Sequence, residues 1–190
     1  MYRYVLSAAL FLLSPTTFAD WTLDNAGSTL SFISIKKGNI AEVHTFDALV
    51  GTIAADGTVT VKIALDSVDT QIPIRDERMR ELLFETSSFS AATFKGQIDP
   101  AILGQLEPGE PLSTAVEATL DLHGKSQPLT LQVVAVRVSP DLLMVGSRLP
   151  VIVQAGEFDL LAGIEKLREI AGLPSISSAV PVSFVLSFNQ

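Results

Sequence analysis

Glu42 and His44 stand two residues apart in a segment that reads as a strand, so both side chains fall on one face. With Asp47 nearby they offer donors for a divalent metal, and a histidine beside a carboxylate can serve as a general base. A metal site usually needs a third or fourth ligand, and irregular sequence near Ala48 leaves the facing of Asp47 undetermined. The plainer reading, a solvent-facing polar patch at a strand end, is therefore preferred. Arg75, Arg78 and Arg80 form a second cluster. Arginines on one short helix suit the phosphate or pyrophosphate end of a lipid. The interleaved Asp76, Glu77, Glu81 and Glu85 favour a solvated, self-neutralising face instead. His123 falls in a tight turn, where a hydrogen-bonding role is expected. Gly124-Lys125-Ser126 imitates the end of a P-loop, but the earlier glycine that motif requires is Thr119, and no helix follows. There is neither a G-x-S-x-G elbow nor an H-E-x-x-H motif. No residue is assigned as catalytic or as a metal ligand, and no cofactor is expected.

These groups sit in a chain of 190 residues that is 47% hydrophobic, 18% charged and free of cysteine. That length suits one domain, and that balance excludes extensive disorder. With 13 basic against 21 acidic residues, unaided nucleic-acid binding is excluded as a working function. Arg3 precedes an apolar run from Val5 to Leu13, Ser14-Pro15 breaks it, and Thr17-Phe18-Ala19 supplies small residues for cleavage. Residues 1–19 therefore read as a secretory signal peptide, too short in its apolar part to span a bilayer. The expected organisation is a signal peptide at 1–19 and one domain at 20–190, exported to the periplasm. Without cysteine the domain must rest on its apolar core alone.

From Asp20 onward the dominant period is two, the mark of strands with one buried face. Val59, Val61, Ile63 and Leu65 alternate with polar neighbours, as do Val116, Ala118, Leu120 and Leu122, and Val182, Phe184, Leu186 and Phe188. Further strands are expected over 29–35, 43–53, 92–98, 128–138 and 142–154. Asp56-Gly57, His123-Gly124 and Ser139-Pro140-Asp141 are the expected turns. Met79, Leu82 and Leu83 predict a short amphipathic helix over 75–84, with Asp76 and Arg80 placed to pair on its exposed face. Ile164, Leu167 and Ala171 predict a second over 163–171, stopped by Gly172 and Pro174. About eight antiparallel strands leave a sandwich or a closed barrel, and an eight-stranded barrel can enclose one small ligand. Ten phenylalanines suit either a dry core or an apolar wall facing a greasy ligand.

Several stretches in order carry a resemblance. Leu65-Asp66-Ser67-Val68-Asp69-Thr70, Arg75-Asp76, Leu83-Phe84, Ser88-Phe89 and Ala92-Thr93-Phe94-Lys95-Gly96 resemble the YceI family. So do Gly51-Thr52-Ile53 after Phe46, Leu120-Asp121-Leu122-His123-Gly124 with Pro128-Leu129-Thr130-Leu131, and the tail from Gly163 to Phe184. The match is collinear over roughly residues 20–188. The resemblance implies an all-β fold, an eight-stranded antiparallel lipocalin-like barrel with one or two short helices. It also implies a tunnel that binds a polyisoprenoid, an isoprenoid quinone or a related long-chain amphiphile; separately, the lack of a catalytic motif predicts that the chain is not an enzyme. Alternation and the family pattern together place Phe46, Phe84, Phe89 and Phe94 near the tunnel and Leu49, Leu120 and Leu122 on its wall, while the residues' own chemistry makes His44, Arg75 and Arg78 the candidate headgroup contacts. Many members carry Val-Lys-His in the first hairpin, where this chain has Ser34-Ile35-Lys36-Lys37-Gly38; its histidine lies instead in Glu42-Val43-His44-Thr45-Phe46.

Two other functions remain open on sequence alone. A small outer-membrane barrel would fit the strand count, but the single Trp21 and no tyrosine beyond Tyr4 cannot build aromatic girdles, so no stable membrane insertion is expected. A lipid-modifying enzyme using His44 lacks a recognisable partner motif. A dimer is compatible with the sequence, and nothing in it demands one.

Overall fold

The structure, a computed structural model, describes residues 20–190. The expected signal peptide at 1–19 lies outside the described residues. The strands are β1 (Trp21–Lys36), β2 (Ile40–Phe46), β3 (Leu49–Ile53), β4 (Thr58–Ala64), β5 (Val68–Asp69) and β6 (Ala91–Gln97). They continue as β7 (Pro111–Leu122), β8 (Lys125–Ser139), β9 (Leu142–Ser147), β10 (Val151–Gln154) and β11 (Ala179–Asn189). All pair antiparallel in one sheet, and β11 pairs back onto β1. The ring runs β1-β3-β4-β6-β7-β8-β9-β11 and returns to β1, a closed barrel of eight staves. The three remaining strands extend staves: β2 continues β3 along β1, β5 pairs with β2, and β10 continues β9 along β11.

Alternation sorts the staves into two faces. On β4, Val59, Val61 and Ile63 are buried while Thr58 and Lys62 are exposed. On β7 and β8, Val116, Leu131 and Val133 turn inward, whereas Ser113, Ala115, Glu117, Thr130 and Gln132 face out. The largest fully buried side chains are Phe188, Leu65 and Leu143. His123 and Gly124 both take positive φ, 50° and 73°, and close the β7–β8 hairpin as a two-residue turn whose twist matches its strands.

The eight segments read as strands correspond to the eight staves, but two of them break. The run over 43–53 divides at Asp47-Ala48. Asn25 bridges the break, accepting from Leu49 N at 2.6 Å and donating to Asp47 O at 2.8 Å, while Ala48 N donates to Ser67 Oγ at 3.0 Å. The run over 142–154 divides at Arg148-Leu149-Pro150, where proline has no amide hydrogen for the ladder.

Helix α1 (Pro73–Arg78) begins with proline, runs on through a π-helical turn at Met79–Leu83, and covers the residues expected to be helical. Helix α2 (Pro100–Gly104), not anticipated, starts at Asp99, whose carboxylate accepts from Ala101 N at 2.9 Å. Helix α3 (Leu161–Ile170) ends in a Schellman motif: Leu173 N donates to Arg168 O and Gly172 N to Glu169 O, each at 3.0 Å, with Gly172 at φ 61°. The expected Asp76–Arg80 pair does not form. Asp76 is buried and accepts from Thr70, and Arg80 donates to Asp66 O at 3.3 Å.

Helix α3 packs on the π-helical turn at backbone distance. A Cβ on Gly163 would stand 2.6 Å from Leu82 O and 2.8 Å from Leu83 Cα. Gly163→Ala is thus expected to cost about 1–3 kcal/mol, because backbone rather than a flexible side chain must yield. Urea unfolding reads this as a lowered midpoint with an unchanged slope; an unmoved midpoint would contradict this packing.

Candidate ligand-binding site

Two cavities occupy the barrel. The smaller, about 150 Å³, is walled by aliphatic residues and phenylalanines, with Thr114 its one polar side chain. Ile102 and Leu103 of α2, with Leu106, contribute to its lining. The larger, about 490 Å³, lies between the β1–β2 hairpin, α1 with its π-helical turn, and α3 with the chain after it. Leu30, Ile63, Leu120, Val153 and Val182 belong to both walls, so the cavities are adjacent.

The β1–β2 hairpin grades this lumen from apolar to charged. Its inward cross-strand pairs are Leu30 with Phe46, Phe32 with His44, and Ser34 with Glu42, followed by Lys36 near the tip. Period two places each successive pair one step nearer the turn. Phe32 packs between His44 and Phe46 with ring centroids 5.2 Å from each, and Phe46 meets Phe84 at 5.7 Å. The aromatic rings thus lead from the polar end of the wall into the apolar lumen.

At the charged end, Glu42 binds two cations at once: Lys36 Nζ and Arg75 Nη1 each lie 2.8 Å from its carboxylate oxygens. Arg75 Nη2 donates to Thr70 O at 2.7 Å, and Asp76 Oδ1 accepts from Thr70 N at 2.8 Å and Thr70 Oγ1 at 2.5 Å. These bonds tie the start of α1 to the hairpin. The hydrogen bond from Lys36, followed by the charge of Arg75, holds the Glu42 carboxyl below the usual carboxylate range against the effect of burial.

His44 is 3% exposed, and its Nε2 shares a 2.8 Å hydrogen bond with Ser34 Oγ. Its Nδ1 is buried and finds no partner in the protein, while the residue lines the larger cavity. Burial first, then the charge of Arg75, lowers its pKa, so the imidazole is neutral near pH 7. A neutral ring with Nε2 engaged presents Nδ1 as one donor or one acceptor, depending on which way the Ser34 hydroxyl turns.

This geometry overturns the solvent-facing reading of Glu42 and His44, since the hairpin turns that face onto the lumen. Arg75 and Arg78 likewise line the cavity. Phe46, Phe84 and Leu122 line the larger cavity, Phe94 the smaller, and Leu120 both. Leu49 and Phe89 line neither: Leu49 packs in the core at 2% exposure, and Phe89 lies against His123 with ring centroids 4.3 Å apart. His123 accordingly serves the hairpin turn, its Nδ1 3.1 Å from Phe158 O. Asp47 is exposed and accepts from Thr45 Oγ1 at 3.2 Å. Among the described residues no group of three or more His, Asp or Glu is placed to hold a metal ion. Sequence reasoning missed Phe32, Ser34 and Lys36, although their spacing of two along β1 carried the signal. Ile164, Leu167 and Ala171, read as the apolar face of a helix, form part of the larger cavity's wall.

The YceI-like domain profile matches residues 21–188. A polyisoprenoid-binding domain from Saccharophagus degradans, implicated in plant cell wall breakdown, is 41% identical with a TM-score of 0.87, covering 90% of this chain and 98% of that one. BcnA of Burkholderia cenocepacia is 18% identical, TM-score 0.68, covering 87% and 98%. The Campylobacter jejuni YceI protein is 13% identical, TM-score 0.53, covering 100% and 99%. These last two likenesses concern the fold alone. A search of curated proteins found no match.

The buried imidazole makes stability depend on pH. Histidine in the unfolded chain takes up a proton below about 6.5, which His44 resists, so folding stability falls as pH drops below that value. The contribution of Glu42 persists until pH falls through the carboxylate range. NMR titration is expected to find the His44 imidazole below 6.5. Urea midpoints from neutral to mildly acid pH should fall less in His44→Gln than in the parent. A His44 titration at or above the ordinary value would contradict the arrangement.

Proposed function

The chain belongs to the YceI-like domain family, and from that premise we propose that it carries or sequesters a long-chain amphiphile, an isoprenoid or isoprenoid quinone, in the periplasm. The observation that carries this reading is the lumen itself: two adjacent apolar cavities that share lining residues, graded at one end into His44, Glu42, Lys36, Arg75 and Arg78. That is the shape of a molecule with an apolar tail and one polar end. The relative from Saccharophagus degradans, a polyisoprenoid-binding domain, supports the same ligand class. The expected signal peptide supports export.

Desolvation supplies the binding. Each CH2 moved from water into an apolar lumen contributes about 0.8 kcal/mol, so a tail of several isoprene units needs few polar contacts. His44 then orients the ligand. It lines the larger cavity beside Glu42 and Arg75, and its Nδ1 has no partner in the protein. Arg75 is held in place by Glu42 and Thr70, so the polar end of the site is built before the ligand arrives.

The barrel's faces oppose a membrane-spanning role, since Lys62, Glu117, Thr130 and Gln132 point outward where hydrocarbon would lie. Ser34 and His44 have the spacing of a nucleophile and its base, but no carboxylate reaches Nδ1 to orient the ring. Binding accounts for the site without a reaction.

Mass spectrometry of an organic extract from protein purified without detergent from its native host tests the proposal. A near-stoichiometric isoprenoid, quinone or related amphiphile is expected. An empty extract, with native mass spectra showing bare protein, would count against it.

A further inference from the structure

The polar end of the larger cavity has a rim that is apolar and cationic together. Ile72 and Ile74 line the cavity and are also 45% and 52% exposed, so these side chains serve both the lumen and the outside. Ile40, across from Lys36 beside the hairpin tip, is 40% exposed. Lys36, Lys37, Arg75 and Arg78 stand among them, and the bond from Lys37 N to Ser175 O at 3.1 Å holds the tip against the chain that follows α3. Glu42 is shared by Lys36 and Arg75, whereas Lys37 and Arg78 have no carboxylate partner among the described residues. Two further carboxylates lie on α1: Glu77 is exposed, and Asp76 is buried against Thr70. In a chain of net charge −8, four cations stand here against Glu42, Asp76 and Glu77. Half-exposed isoleucines beside unpaired cations suit a lipid interface, where apolar side chains enter the headgroup boundary and Lys or Arg meets phosphate.

We propose that this rim docks on an anionic lipid bilayer, mouth towards the surface, so that a ligand passes between acyl phase and lumen without crossing water. The inference rests on the lipid-binding reading and adds the surface with which the ligand is exchanged. Docking is peripheral, because the outward faces of the staves carry Lys62, Glu117, Thr130 and Gln132 and the contact is limited to the hairpin tip and the start of α1. The same desolvation that retains a tail in the lumen opposes its release into water, and contact with a bilayer removes that barrier.

Co-sedimentation of the purified protein with vesicles tests the docking, comparing phosphatidylcholine alone with phosphatidylcholine containing phosphatidylglycerol. The parent is expected to bind the anionic vesicles roughly fivefold or more better, with the difference lost at high salt. The double variant Lys37→Glu, Ile40→Glu alters the rim at residues outside the cavity wall. It should lose most vesicle binding while retaining extractable ligand. No binding to either vesicle, binding undiminished in the double variant, or a rim that captures a protein in place of vesicles would overturn the proposal. Vesicle binding by a protein whose extract is empty would separate the two ideas, leaving the docking surface and removing the ligand reading.

Discussion

Pairing of Thr29–Phe32 on β1 with Val182–Val185 on β11 joins the two ends of the sheet, and the interior depends on that closure. An open sheet of these strands would have two unpaired edges and one apolar face needing cover from elsewhere. Closed, the same residues cover one another across a lumen. Alternation then decides the chemistry of both surfaces at once, because each inward Val, Leu, Ile or Phe forces its neighbours outward. Small helices complete the enclosure: Ile102 and Leu103 of α2 line one cavity, and Ile164 and Leu167 of α3 line the other.

Within that enclosure the β1–β2 hairpin sets direction. A lumen apolar throughout would hold a tail with no preferred orientation. Here the inward positions pass from Leu30 and Phe46, through Phe32 and His44, to Ser34, Glu42 and Lys36. Glu42 links the hairpin to α1 through Arg75, so the mouth and its helix form one hydrogen-bonded unit. Gly163 brings α3 against the adjoining π-helical turn. The parts that surround the mouth are therefore coupled to the parts that would contact a headgroup.

Much of this was legible in the residues. Period two located all eight staves, since each needs one buried face and burial leaves a pattern that composition cannot hide. The breaks at Asp47-Ala48 and Arg148-Leu149-Pro150 were not drawn as strand ends, although Pro150 was a local signal for the second; at the first, Asn25, distant in sequence, satisfies the backbone. Helix α2 was missed because five residues are too few to show a helical period, although Asp99-Pro100 was a local start signal. The site divided in the same way. Phe46 and Leu120 line the cavities because they sit on inward strand positions, whereas Phe84, outside any strand, was placed by the family pattern. Leu49 obeys the same strand rule and still misses the lumen, since a buried face includes residues that pack on one another, and Phe89, outside any strand, packs on His123. His44 was misread as solvent-facing because spacing fixes which residues share a face, while only closure and the covering α1 fix what that face meets. Asp76 was misread for the same reason, its partner Thr70 lying outside the helix.

The central claim is that a long apolar tail fills this lumen and that its desolvation provides the affinity. Titration of delipidated protein with prenyl alcohols of increasing length, followed by calorimetry, tests it most directly. At about 0.8 kcal/mol for each buried CH2, affinity should rise at least tenfold with each added isoprene unit, then level off when the tail reaches the residues contributed by α2. The heat-capacity change should grow more negative over the same range. Affinity independent of chain length, or no binding at any length, would contradict the account.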